Sequence, residues 1–167
     1  MYRPGETVVY GIHGVCKILG SEKRMNGGKA ETYIVLEPVN QEGSRFFVPV
    51  GNPAAMAKVR PVLTPTQLEQ ILEDASMQMG GWIADESQRK LRYRELIAAG
   101  DPAALAGMIR ALYLYRADCG VRGKKVHLCD DNFLRDAEKV LISEISAVMG
   151  VSFEEARDML RTKLKQE

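Results

Sequence analysis

The chain changes character near residue 63, and this change limits the folds that it can adopt. Before that point, short runs of β-branched and aromatic residues alternate with glycine and asparagine turn signals. Beyond it, apolar residues recur every three or four positions between helix-capping residues. A length of 167 residues suits one ordinary domain or two small ones. We therefore predict an α+β protein with two domains, at residues 1–63 and 64–167.

The first domain is predicted to be a small antiparallel β-barrel of the SH3-like or Tudor-like kind, because five short strands are separated by tight turns. Asn26-Gly27-Gly28 lies between two of these strands and is typical of a hairpin tip, where positive φ angles are required. The predicted strands are residues 7–10, 15–19, 32–36, 46–50 and 59–63.

The second domain is predicted to be all-α with about five helices, because start and stop signals alternate along it. Thr64 and Ser152 each open a capping-box pattern. The predicted N-caps are Thr64, Asp85, Asp101, Asp130 or Asp131, and Ser152. The predicted stops are Gly80-Gly81, Gly100, Gly120 and Gly150.

The charge distribution indicates a local basic surface. A net charge of +1 argues against binding nucleic acid through overall charge, yet residues 81–125 carry nine basic and five acidic side chains. Such cations can contact phosphates, and the alternative is a solvated charged face. Trp82, the only tryptophan, is predicted either to plug the junction between the domains or to act as an aromatic wedge at a base step. The predicted DNA-binding residues are Trp82, Arg89, Lys90, Arg92, Arg94, Lys124 and Lys125.

The sequence offers little for catalysis. It has two histidines, His13 and His127, and no phosphate-binding glycine loop. The spacing of Cys119, His127 and Cys129 matches no common zinc pattern. We therefore predict no enzyme, no cofactor, no metal and no small-molecule substrate. Three cysteines, the absence of a signal-peptide pattern and the absence of a long apolar run predict a cytoplasmic protein without a membrane partner.

Residues 5–15, which read GETVVYGIHGV, resemble the opening of the CarD/CdnL family of bacterial transcription regulators. The same opening occurs in transcription-repair coupling factors, but their helicase motifs are absent here. Further matching segments are YIVL at 33–36, Val48-Pro49, VRPV at 59–62, Trp82-Ile83-x-Asp85, Gly100-Asp101 and Ala137-Glu138-x-x-Leu141. The resemblance therefore covers nearly the whole chain.

The resemblance implies a regulator with two partners. Its first domain is expected to bind the β subunit of RNA polymerase by edge-strand pairing. Its helical domain is expected to contact promoter DNA at the upstream edge of the transcription bubble, largely without reading sequence, and to stabilise the open complex. The protein is then expected at the bacterial nucleoid through the polymerase. Alternatives are an adaptor that binds polymerase without DNA and, last, a small enzyme with a polar pocket at His13 or the cysteine loop.

The resemblance also assigns residues. Arg24 occupies the place of a basic polymerase contact. Phe47 stands where relatives carry a second arginine, and Arg45 lies two residues earlier on the same strand face. The predicted polymerase-binding residues are therefore Arg24, Arg45 and Phe47. Counting back from Gly100-Asp101 places the family's wedge near Glu86, so either the linker is shifted by four residues and Trp82 reaches the groove, or Trp82 is structural.

Overall fold

Alternating apolar residues and glycine turns fold the N-terminal part into a five-stranded antiparallel sheet in the computed structural model, which describes residues 2–165. The strands are β1 (Thr7–Tyr10), β2 (Val15–Asn26), β3 (Lys29–Pro38), β4 (Phe46–Pro49) and β5 (Val59–Pro61). They lie in the order β4-β3-β2-β1-β5, which leaves β4 and β5 at the edges. A short helix, α1 (Pro53–Met56), was not predicted, and the turn between Gly11 and Gly14 takes a 3-10 form at Gly11–His13.

One face of the sheet packs into a small core. Val8, Ile18, Leu36 and Val48 come from four different strands and are all buried there. Cys16 lies in the same core, and burial raises the pKa of its thiol to about 11. The thiol therefore stays protonated near neutral pH and behaves as a small apolar side chain.

The hairpin of β2 and β3 is longer than predicted. Its strands pair from Cys16 with Pro38 out to Asn26 with Lys29, and a bulge interrupts the register near Gly20. Gly27 and Gly28 have φ angles of 57° and 83°, which confirms the predicted tip. The outer half of this hairpin is exposed and polar on both faces, so no apolar alternation marked it as strand.

The C-terminal part forms five helices within residues 63–165, which confirms the predicted number and the α+β class. The helices are α2 (Pro65–Ser76), α3 (Glu86–Ala99), α4 (Pro102–Arg122), α5 (Leu128–Met149) and α6 (Phe153–Lys165). The chain divides into two compact units, Met1–Val62 and Leu63–Glu167. Among the described residues, no helix is both long and apolar enough to cross a membrane.

Most of the predicted caps are confirmed. Thr64 accepts a hydrogen bond from the backbone of Gln67 while the Gln67 side chain accepts one from Thr64, and Ser152 forms the same box. Asp85 and Asp101 cap α3 and α4. Gly100 and Gly150 end their helices with left-handed φ angles.

Two predicted boundaries are wrong. Helix α4 passes through Gly120 and ends at Gly123, which takes the left-handed conformation. Helix α5 begins after His127 because Asp130, the expected cap, is buried inside its first turn and binds another side chain. Helix α2 ends at Ser76 with Met77 as its C-cap, which agrees with the predicted end near Met77.

We predict that Thr64→Ala destabilises the helical unit by about 1 kcal/mol, because the N-cap side chain satisfies an otherwise unpaired helix N–H. The free energy of unfolding from urea titration measures the loss. Thr66→Ala is the matched control, since Thr66 is an exposed residue in the first turn of the same helix. An equal loss in both variants would contradict a capping role for Thr64.

Candidate functional site

Edge strand β4 presents backbone groups to solvent. Val50 donates its N–H to the carbonyl of Thr32 on β3 at 2.9 Å. Along a strand, the N–H and C=O groups of successive residues point to opposite sides. Those of Val48 therefore also point toward β3, whereas those of Phe47 point away from the sheet. Pro49 follows and has no N–H to donate. The free edge therefore offers one complete pairing position, at Phe47.

The side chain of Phe47 carries a cation on its ring. The guanidinium carbon of Arg24 lies 3.7 Å from the ring centroid, so β2 and β4 are bridged over β3. A carboxylate oxygen of Glu22 lies 3.1 Å from a nitrogen of the same guanidinium. Arg45 is exposed on the same strand face as Phe47 and lines a shallow cavity beside Glu22. We call Arg24, Arg45 and Phe47 the β4 patch.

The opposite side of β4 is held by aromatic packing. The ring of Phe46 lies 4.1 Å from that of His13, and Tyr10 packs within 5.6 Å of both rings. These contacts tie the edge strand to the turn that follows β1. His13 therefore lies against two aromatic rings.

In the helical unit, Trp82 is covered on both ring faces. Tyr115 stacks on it with 3.6 Å between centroids and an angle of 8°. The guanidinium carbon of Arg89 lies 4.3 Å from the same ring. A tyrosine stacked this closely leaves no room for a guanidinium on its own side, so the two contacts occupy opposite faces. The half-buried Trp82 therefore presents its edge to solvent.

Arg89 is buried and fully engaged. It is 3% exposed and makes two hydrogen bonds to the carboxylate of Asp130, at 2.9 and 3.0 Å. A further nitrogen donates to the carbonyl of Ile83 at 2.9 Å, which fixes the loop that carries Trp82. The hydrogen bond that Arg89 donates to Asp130 raises the pKa of the Arg89 guanidinium above its usual value. The prediction that Arg89 offers a free cation to DNA is wrong, because its charge is used inside the unit.

The remaining predicted cations differ in their partners. Lys90 binds Glu86 at 2.6 Å, and Arg92 lies 3.7 Å from Glu95. These two pairs are on the surface, where an ion pair contributes about 0–1 kcal/mol and exchanges easily. Arg94, Lys124 and Lys125 are exposed and have no ion pair among residues 2–165.

The fold brings the α4–α5 loop close to α3. The Arg89–Asp130 pair joins the first turns of α3 and α5. Consistent with this, the pKa of the Glu86 carboxyl is lowered mainly by Lys90 and to a smaller extent by His127. Lys124 and Lys125 immediately precede this point of contact. The cations of α3 and of the loop therefore share one end of the helical unit.

Exposed apolar side chains at this end escaped the sequence analysis. Leu91 is 60% exposed and Leu128 is 72% exposed. Their exposure is decided by the packing of α3 on α5, which the sequence pattern does not reveal. Together with the cations, they form what we call the α3 surface: Trp82, Lys90, Leu91, Arg94, Lys124, Lys125 and Leu128.

The cysteine loop does not assemble a metal site in the described part of the chain. Cys119 is buried and Cys129 is half-buried, while His127 is exposed. No three His, Cys, Asp or Glu side chains of residues 2–165 are placed to hold one ion. Cys119 instead lies beside Tyr115, and the hydrogen bond between them is the main reason that the pKa of Tyr115 is raised.

Comparison with known families agrees with this architecture. The model of the CarD-like/TRCF RID domain matches residues 2–62, and that of the CarD C-terminal domain matches residues 68–161. No curated protein matches the chain significantly. Domains of these two kinds indicate an RNA polymerase-interacting transcription factor, and they point to a regulator and not to an enzyme. The chain belongs to the CarD family.

We predict that Asp130→Asn lowers the free energy of unfolding by about 3–5 kcal/mol, because it leaves the Arg89 charge buried without a counter-ion. The emission of Trp82 should change as well, since it is the only tryptophan and stacks on that guanidinium. Chemical denaturation followed by fluorescence measures both effects.

The matched control is Asp131→Asn. Asp131 faces Arg116 at 3.8 Å on the surface, so its loss should cost less than about 1 kcal/mol. If the two variants are equally stable and emit alike, the buried pair does not hold the Trp82 stack.

Proposed function

We propose that the protein docks on the β subunit of RNA polymerase through the β4 patch and contacts promoter DNA through the α3 surface. In this arrangement it stabilises the open complex at the upstream edge of the bubble and acts at the nucleoid. The observation that carries the proposal is the Arg24 guanidinium stacked on Phe47 beside the free edge of β4.

The docking step combines backbone pairing with one cation. A partner strand can exchange two hydrogen bonds with Phe47, and the missing N–H of Pro49 limits the pairing to a short stretch. Packing on Phe47 holds the Arg24 side chain in place, so less conformational entropy is lost when it binds an acidic group. Specificity then comes from a short strand and a fixed charge instead of a large apolar surface.

The DNA step rests on exposed cations. Arg94, Lys124 and Lys125 reach solvent on the α3 surface, and such side chains bind phosphates with a strong dependence on salt and little dependence on sequence. Trp82 offers its ring edge, which suits contact with a sugar or base edge in a minor groove. Insertion of the ring between bases requires Trp82 to leave Tyr115, so we place the wedge second to the phosphate contacts.

A second candidate is an adaptor that binds polymerase but not DNA. It is favoured by the burial of Arg89 and by the surface pairing of Lys90 and Arg92 with carboxylates, which reduces the free positive charge. The two candidates share the β4 patch and differ only at the α3 surface. Variants of the two surfaces therefore separate them.

We predict that Arg24→Glu weakens binding to the isolated β-subunit lobe by at least about tenfold, which corresponds to about 1.4 kcal/mol. Fluorescence anisotropy of the labelled lobe measures the affinity. Lys23→Glu is the matched control, because Lys23 is the exposed neighbour on the other face of β2. Equal losses of affinity in the two variants would mean that docking depends on general charge attraction, and they would contradict the β4 patch as the docking site.

We predict that the protein lengthens the lifetime of the open complex and that reversing Lys124 and Lys125 together to Glu removes this effect. The salt dependence should fall by about one unit of slope for each lost phosphate contact. Decay of a labelled promoter complex at several salt concentrations measures both.

The control for the α3 surface reverses Arg135 and Lys139, two exposed cations of α5, to Glu. If the Lys124 and Lys125 variant still lengthens the lifetime as much as the unmodified protein does, with polymerase binding intact, the result would favour the adaptor. No effect of the unmodified protein on lifetime would overturn open-complex stabilisation.

A further inference from the structure

A groove on the helical unit shares no lining residue with the β4 patch or the α3 surface. It lies between α2 and α6, with the C-terminal end of α5 forming part of its lining, and its volume is about 680 Å³. We call it the α2–α6 groove.

The groove has an apolar floor. Leu68, Leu72 and Ile145 are buried in it, and Met149 is half-buried. Met159 is 37% exposed and closes one side. Methionine side chains adapt their shape to different partners, and they are common on surfaces that bind helical peptides.

The rim of the groove is acidic. Glu73 and Lys163 form an ion pair across one end, so the single ammonium in the lining is already neutralised. Glu69 and Asp158 lie about one turn earlier on their helices and form no ion pair among the described residues. The lining therefore carries a net negative charge beside an apolar floor.

The size of the groove fits a short helical segment. Its walls run from Leu68 to Glu73 on α2 and from Asp158 to Lys163 on α6. Five steps of a helix cover about 7.5 Å, so the groove receives apolar side chains from about one and a half turns. An amphipathic helix presents such side chains at positions i and i+4, with its polar residues on either side.

We propose that the α2–α6 groove binds a short, cationic amphipathic helix of a partner protein. Two apolar side chains of that helix occupy the floor, and its lysine or arginine residues pair with Glu69 and Asp158. This interaction is independent of polymerase docking and DNA contact, and it gives the regulator a site for a further protein.

The test uses the full chain and a fluorescein-labelled 14-residue peptide as the probe. The peptide carries leucine at positions i and i+4, lysine beside them and alanine elsewhere. Two further peptides serve as controls: one with glutamate in place of lysine, and one in which the same residues are scrambled to abolish the apolar face. Fluorescence anisotropy measures binding.

We expect the cationic amphipathic peptide to bind the unmodified protein at least about tenfold more tightly than either control peptide. Glu69→Lys together with Asp158→Lys should abolish this preference, and Met159→Asp should weaken binding through the floor. The matched control is Glu42→Lys together with Asp136→Lys, which changes the net charge equally at exposed positions elsewhere. Thermal unfolding of each variant verifies that it is folded.

Three outcomes would overturn the proposal. Equal binding of the scrambled peptide would mean simple charge attraction, and an equal loss in both double-lysine variants would place the binding outside the groove. Sedimentation that shows a dimer of this chain, dissociated by Met159→Asp, would assign the groove to a second copy. All three readouts are independent of polymerase, so they fail or succeed separately from the proposed function.

Discussion

The buried ion pair between Arg89 and Asp130 organises the helical unit. It joins the first turns of α3 and α5, donates a further hydrogen bond to Ile83 and places a guanidinium on one face of Trp82. Such a pair is costly to desolvate, and its geometry is satisfied only when both partners are present. This one contact therefore links the Trp82 loop to the first turns of α3 and α5.

Burial of cations changes the meaning of the basic segment. Nine basic residues lie between positions 81 and 125, yet Arg89 and Arg110 are buried among backbone carbonyls and a carboxylate. A basic stretch of sequence is therefore not equivalent to a basic surface. Within this segment, Arg94, Lys124 and Lys125 are the exposed cations without an ion pair among residues 2–165, and the acidic lining of the α2–α6 groove lies on other helices. Local placement of charge, and not the net charge of +1, decides which partners each surface can attract.

The elements with local signals were predictable. The caps at Thr64, Asp85 and Asp101, and the turn at Gly27, were found because a side chain or a φ angle within a few residues decides them. The start of α5 was misplaced because Asp130 has the side chain of a cap but binds Arg89, which is 41 residues away in sequence. Arg24 and Phe47 were singled out separately by family resemblance, whereas their stacking required the pairing of three strands.

The sequence by itself determined the two-part α+β order, most helix ends and the family, because these depend on local patterns and on motifs that are contiguous in the chain. Only the tertiary structure decided which cations are free, that Trp82 is enclosed by Tyr115 and Arg89, and that β4 exposes the backbone of Phe47. These features depend on contacts between residues far apart in the chain. The residue type determines the chemistry of a side chain, but tertiary packing determines how exposed that side chain is and which group it contacts.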